Sequence, residues 1–206
     1  MNLINLRTAE AEFMQRYPGG FDNEEIQEIG KKHRVDKMVE QANDLLAKKR
    51  FTNQGEVLNS IVKIVTRSSM VSLFEKPKFR DYVNGMSRDD REFLAGAYQK
   101  LLHGNAKRGF TDVVDVLSEG KLAKWSLMTI CPFYLRPQDD VFVKPTTTKN
   151  VIRVLDLGDL IYRPRPTWEF YETYRDTINE LKGKVDPSLS PNNAAFTGFL
   201  MIALGA

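Results

Sequence analysis

Ser87-Arg88-Asp89-Asp90-Arg91-Glu92-Phe93-Leu94-Ala95-Gly96-Ala97-Tyr98-Gln99-Lys100-Leu101-Leu102-His103-Gly104 carries its apolar residues in adjacent pairs, Phe93-Leu94, Ala97-Tyr98 and Leu101-Leu102. Pairs recurring every four residues fall on one side of a helix with about 3.6 residues per turn, so the segment reads as an amphipathic α-helix. Ser87, with Asp90 three positions on, supplies a start signal, and His103-Gly104 supplies a stop.

The same grammar extends in both directions. Val35, Met38, Val39, Ala42, Leu45 and Leu46 form one stripe, and Val57, Leu58, Ile61, Val62 and Val65 form a second. Trp168, Tyr171, Tyr174, Ile178 and Leu181 form another. Pro18-Gly19-Gly20 ends a first helix, and Asp22 is placed to cap a long second one. Asn53 with Glu56 opens the next, Thr167 and Gly183 bracket the Trp168 helix, and Ser190-Pro191 introduces the last. Only Val141-Phe142-Val143 and Leu160-Ile161-Tyr162 have strand composition, and both are short. The expected fold is all-α: a compact multi-helix bundle of about eight to ten helices. It forms either one domain over 1–206 or two lobes, 1–104 and 105–206.

Composition narrows the function classes. The 206 residues are 42% hydrophobic and 28% charged, with a net charge of +3 and a pI near 8.9, which permits an anionic partner without demanding one. Cys131 is the single cysteine, so no intramolecular disulfide or zinc knuckle can form, and its setting in Ile130-Cys131-Pro132-Phe133-Tyr134 suits a buried small hydrophobe. The N-terminus MNLINLRTAEAEF has charges where a leader peptide needs an apolar run, and no apolar stretch approaches the ~20 residues of a membrane span. The expected location is cytoplasmic, without membrane contact. Nucleotide-binding glycine loops, zinc-protease and serine-hydrolase motifs and calcium loops are absent, so neither a metal nor another cofactor is expected.

Candidate chemistry gathers in the irregular region from Leu135 to Pro166, which holds Pro137, Pro145, Pro164 and Pro166. The helix before it is apolar nearly all round, from Trp125 on, and Pro132 is placed to kink or end it. Thr146 or Thr147 is placed to cap a helix through Val151, Val154 and Leu155, whose free amides, beside Lys144 and Lys149, suit a phosphate. From Lys121 to Arg153 there are six Lys or Arg against two Asp, a local charge of +4. Tyr162-Arg163-Pro164-Arg165-Pro166-Thr167-Trp168 interleaves arginine with aromatic residues, a composition that stacks bases and binds phosphates. Trp168 and Tyr171 also lie on the apolar stripe of their helix, which leaves Arg163 and Arg165 the freer groups. Lys121, Lys124, Lys144, Thr146, Lys149, Arg163 and Arg165 are therefore the expected nucleic-acid contacts.

Tyr17-Pro18-Gly19-Gly20-Phe21-Asp22, Leu102-His103-Gly104, the stretch from Trp125 to Phe142-Val143-Lys144-Pro145, Tyr162-Arg163-Pro164 and Trp168 together resemble a family of uncharacterised bacterial proteins. That resemblance spans most of the chain and implies no activity. Over about forty residues the chain also resembles the core of helix-hairpin-helix DNA glycosylases: Lys121 to Ser126 as hairpin, Leu127 to Leu135 as helix, then Arg136-Pro137, Asp140 and Val141-Phe142. This likeness implies an all-α fold, hairpin amides on DNA phosphate, and a catalytic aspartate shortly after Val-Phe. The hairpin glycines of that pattern fall at Lys121 and Ala123, and the aspartate falls at Pro145, with the Lys144 amine beside it.

The leading expectation is a nucleic-acid-binding protein, a diverged relative of those glycosylases. One alternative is an enzyme acting on a small molecule with the 136–166 region as a lid, for which Asp140, Lys144 and Tyr162 are the candidate catalytic groups. Asp139-Asp140 also reads as a turn with helix-end charge. A further alternative is a protein-interaction module docking through Phe196, Phe199, Leu200, Met201 and Ile202.

Overall fold

The structure is a computed structural model that describes residues 1–205. Among these residues there is no strand, and eleven α-helices follow one another. They are α1 (Leu3–Arg16), α2 (Glu24–Lys31), α3 (Val35–Leu45), α4 (Gln54–Arg67), α5 (Glu75–Asn84) and α6 (Arg88–His103). After these come α7 (Ala106–Glu119), α8 (Trp125–Leu135), α9 (Pro145–Val154), α10 (Trp168–Lys182) and α11 (Asn193–Ala203). Short 3-10 turns occupy Gly20–Asp22, Lys48–Thr52 and Pro187–Leu189.

The count exceeds the expected eight to ten for local reasons. The long second helix is broken: Arg34 adopts a left-handed φ of 47°, which ends α2 and restarts the chain as α3. The short α5 has no conspicuous apolar stripe, burying only Phe79 and Val83. Several expected starts hold. Asn53 accepts from the Glu56 amide, Ser87 from Asp90, and Thr167 from Phe170. Others move by a residue or two: Asn23, not Asp22, caps α2, and Asn192 caps α11.

α8 is the axis of the fold. Leu127 through Tyr134 are all buried, and the helix packs on α3, α4, α6 and α7. A helix apolar on every side must be surrounded. Pro132 does not end it: the helix runs on through Leu135 and closes with the Arg136 amide on the Pro132 carbonyl, although Pro132 has no amide of its own to donate one turn back. α6 and α7 lie so close that a Cβ on Gly109 would sit 2.1 Å from the Leu101 amide nitrogen, a contact only glycine permits. One cluster of buried apolar residues runs from Leu6 to Leu200.

One expectation about a surface is corrected in part. Three of the five residues offered as an α11 docking surface are core, Phe196 and Phe199 fully buried and Leu200 nearly so, with Phe199 meeting Phe13 of α1 edge-on at 5.3 Å, while Met201 and Ile202 are half-buried. The two strand-like runs stay irregular. Val141-Phe142-Val143 is buried, and the Val143 amide donates to Thr129 Oγ1 at 3.1 Å, whose own hydroxyl donates to the Trp125 carbonyl. No helix among the described residues is long and apolar enough to cross a membrane.

Candidate nucleic-acid interface

The turn between α7 and α8 builds one edge of the site. The Lys121 amide donates to the Ser118 carbonyl and the Leu122 amide to Leu117, a paired closure that requires a left-handed residue between them. That residue is Lys121, at φ 56°, where glycine is the usual occupant. Gly120 before it lies against the Tyr82 ring, where a Cβ would come within 2.7 Å. Lys124 then stands at the head of α8 in extended conformation, with no side-chain cap.

The residue after Lys124 joins this turn to the second half of the irregular region. Trp125 is buried, and its indole N–H donates to the Arg163 carbonyl at 2.7 Å. Its ring packs on Tyr162 and Phe170, with centroids at 6.3 and 5.0 Å. Tyr162 is half-buried, and the Lys149 ammonium lies 5.1 Å from its ring centroid, within cation–π range. Burial raises the Tyr162 phenol above its ordinary value, so at neutral pH it is an uncharged donor. Lys149 thereby meets this aromatic cluster with its ammonium, while Lys124 and Arg163 adjoin it through the backbone, Lys124 as the residue before Trp125 and Arg163 through its carbonyl. These three and Lys121 are exposed and make no ion pair among the described residues.

The remaining expected contacts lie apart. Arg165 pairs with Asp115 of α7 at 3.3 Å. Lys144 extends its ammonium to the Met201 sulfur at 3.8 Å. Neither Thr146 nor Thr147 caps α9. The helix starts one position earlier, at Pro145, which supplies the φ a first turn needs and has no amide to satisfy. Lys144 is its N-cap residue, Thr146 is exposed, and Thr147 and Thr148 are buried.

The candidate catalytic groups do not assemble. Asp140 is 3% exposed, accepting from Arg136 Nε at 2.6 Å and from the Tyr171 hydroxyl at 2.7 Å. Asp139 beside it is exposed, so the two carboxylates do not face one point. Arg136 also donates to the Leu102 carbonyl, and Asn193 clamps the backbone at Asp140 from α11. Asp140 thus braces the end of α8 against α6, α10 and α11. Tyr162 and Lys144 make the separate contacts given above.

Sequence reasoning missed three features. The Arg136–Asp140 bracing borders an open cleft of about 460 Å³, lined also by His103, Asp139, Arg175, Asp176 and Asn179. The Arg136/Asp140 spacing of four residues was a legible sign of the pair. Glu75, at the start of α5, accepts from the Ser126 hydroxyl at 2.7 Å and so sets a carboxylate beside the first turn of α8. Leu73 and Phe74, in the preceding loop, are 78% and 81% exposed. Cys131 is fully buried, and burial pushes its thiol up to about 12, which keeps it protonated and unreactive at neutral pH.

No family model matches the chain, and no match to it was found among curated proteins or solved structures.

Proposed function

We propose that the protein binds nucleic acid through its phosphate backbone, on the face formed by the α7–α8 turn and the Tyr162 segment. The observation that carries this reading is the Lys149 ammonium on the Tyr162 ring, with Lys124 and Arg163, both exposed and without ion pairs, adjoining the same Trp125–Tyr162 packing along the chain. Unpaired cations beside a half-buried aromatic ring suit phosphates with adjoining bases, because each released counterion favours binding and the ring offers a stacking face. Lys121 extends the same edge. Base excision is not part of the proposal. The glycosylase pattern asks for a carboxylate at Pro145, and the nearest one, Asp140, is already held by Arg136 and Tyr171.

Titration of single-stranded and duplex DNA across a series of salt concentrations tests this. With three to five phosphates contacted, the logarithm of the binding constant should fall with that of salt at a slope of about −2 to −4.5. The triple variant Lys124→Ala, Lys149→Ala, Arg163→Ala should flatten the slope by about 2 to 3. Weak binding without a salt slope ends the reading.

A second reading is favoured by the cleft at Arg136: a small molecule held between Arg136 and Arg175, whose side chains are 33% and 24% exposed there. Calorimetry with small carboxylates and phosphate separates it from the first, since the two faces share none of the residues named for them.

A further inference from the structure

Leu73 and Phe74 form a paired apolar tip in the loop between α4 and α5, and the loop around them is firmly held. Ser68, fully buried, bonds Tyr134 of α8 at 2.9 Å and accepts from the Met70 amide, while Val71 is 3% exposed. Beyond the anchor, the Phe74 amide donates to Ser72 Oγ at 3.2 Å and the Glu75 amide to the Ser72 carbonyl at 3.0 Å. Two large neighbouring apolar side chains therefore project from an ordered support, where core packing would normally have claimed them.

The position of the tip is what gives it meaning. Phe74 immediately precedes Glu75, which bonds Ser126, and Ser126 follows Trp125, the residue that anchors the Tyr162 segment. Lys76 and Lys78 lie just behind the tip on α5 and, like Lys121 and Lys124 across the Glu75–Ser126 bond, make no ion pair among the described residues. Glu75 apart, the charges that flank the apolar tip along the chain are unpaired cations, which complements a partner whose anionic backbone alternates with flat apolar faces. A lipid surface would call instead for a broad apolar helix face, and α5 buries its Phe79 and Val83 in the core.

We infer that Leu73 and Phe74 stack on unpaired nucleobases, so that the ligand is single-stranded or locally opened nucleic acid in preference to intact duplex. The inference rests on the nucleic-acid reading above. In a duplex each base face is covered by its neighbours, and insertion has to break that stacking first. In a single strand the faces are open, and one aromatic contact strengthens binding by about five- to a hundredfold. Lys76, Lys78, Lys121 and Lys124 take the phosphates on either side.

The test compares a single-stranded oligonucleotide with its duplex at fixed salt, for the wild-type protein, the double variant Leu73→Ala, Phe74→Ala, and Phe74→Trp. The expected result is about tenfold tighter binding of the single strand. The double variant loses that preference while keeping its salt slope and thermal midpoint. Indole fluorescence of the Phe74→Trp protein is quenched on binding to a greater extent than that of the wild type. Equal affinity for both forms, or a preference unchanged in the double variant, overturns the inference and leaves the salt-dependent nucleic-acid reading intact. Absence of salt-dependent binding to either form overturns both. Vesicles of phosphatidylserine and phosphatidylcholine form the third arm: tip-dependent binding to them, with none to oligonucleotides, assigns the tip to lipid and overturns the inference as well.

Discussion

Lys121 holds two roles that pull in opposite directions. Its left-handed φ costs about 1–2 kcal/mol for a residue with a Cβ, while its ammonium belongs to the proposed phosphate-binding edge. Glycine at this position relieves the strain but gives up about 0.5–1 kcal/mol of chain entropy, so the central values leave Lys121→Gly stabilising the fold by a net of about 0.75 kcal/mol. At this chain length that corresponds to a midpoint roughly 1–4 °C higher. The same variant should make the salt slope of DNA binding shallower by about one, and a slope unchanged in the stabilised variant would count against the assignment. Glu75 is the opposite case. Its carboxylate beside the first turn of α8 favours the helix dipole but repels phosphate from the same amides. Glu75→Gln should therefore bind DNA several-fold more tightly at low salt, at a cost of about 0.3–1 kcal/mol in denaturant stability. Cys131 should resist thiol reagents until the chain unfolds, because burial holds it as the thiol.

The helices themselves were largely legible, since apolar residues three and four apart must share a face whatever packs over it. What remained hidden depends on the neighbour. Gly109 looks like an ordinary glycine in Ala106-Lys107-Arg108-Gly109-Phe110, yet it is where α7 touches the backbone of α6. A methyl there would push into the Leu101 amide and the Ala97 carbonyl, neither of which can rotate away. Gly109→Ala should cost at least about 1–3 kcal/mol as overpacking despite its better helix propensity, measured by urea denaturation. A stabilised variant would mean that the two helices are farther apart than described. The candidate site was legible only in part. Interleaved aromatics and arginines marked the Tyr162 segment, whose backbone is tied to Trp125 at the Arg163 carbonyl. Arg165 was drawn off by Asp115, a partner fifty residues away. Asp140 looked like an exposed turn residue because nothing local announces that Tyr171 and Asn193 will close over it. Leu73 and Phe74 carry no local sign of their exposure, because exposure is decided by what fails to cover them.

At the scale of the molecule, the core is unusually rich in buried groups that can lose a proton. Tyr98, Cys131, Tyr134, Tyr171 and Tyr174 all have raised values, with burial as the leading cause in each. Asp140 adds to the rise at Tyr171, and Cys131 and Tyr174 reach about 12. In each case the folded chain keeps a proton that the unfolded chain gives up earlier, so the stability these groups contribute is whole below their unfolded values. For the thiol that is 9.0 and for the phenols 10.0. Above those values stability falls by up to about 1.4 kcal/mol per pH unit for each group, until its folded value is reached. Several such groups titrating in the same range draw on a large share of the stability of a typical domain, about 5–15 kcal/mol. The urea midpoint should accordingly hold from pH 7 to about 9 and then drop steeply. Cys131→Ala should shift the onset from near 9 toward 10, because the first group to titrate has been removed and only phenols remain. An onset unmoved in that variant would place the earliest proton loss elsewhere, and a midpoint unchanged at pH 11 would mean that these hydroxyls reach water more readily than their burial implies.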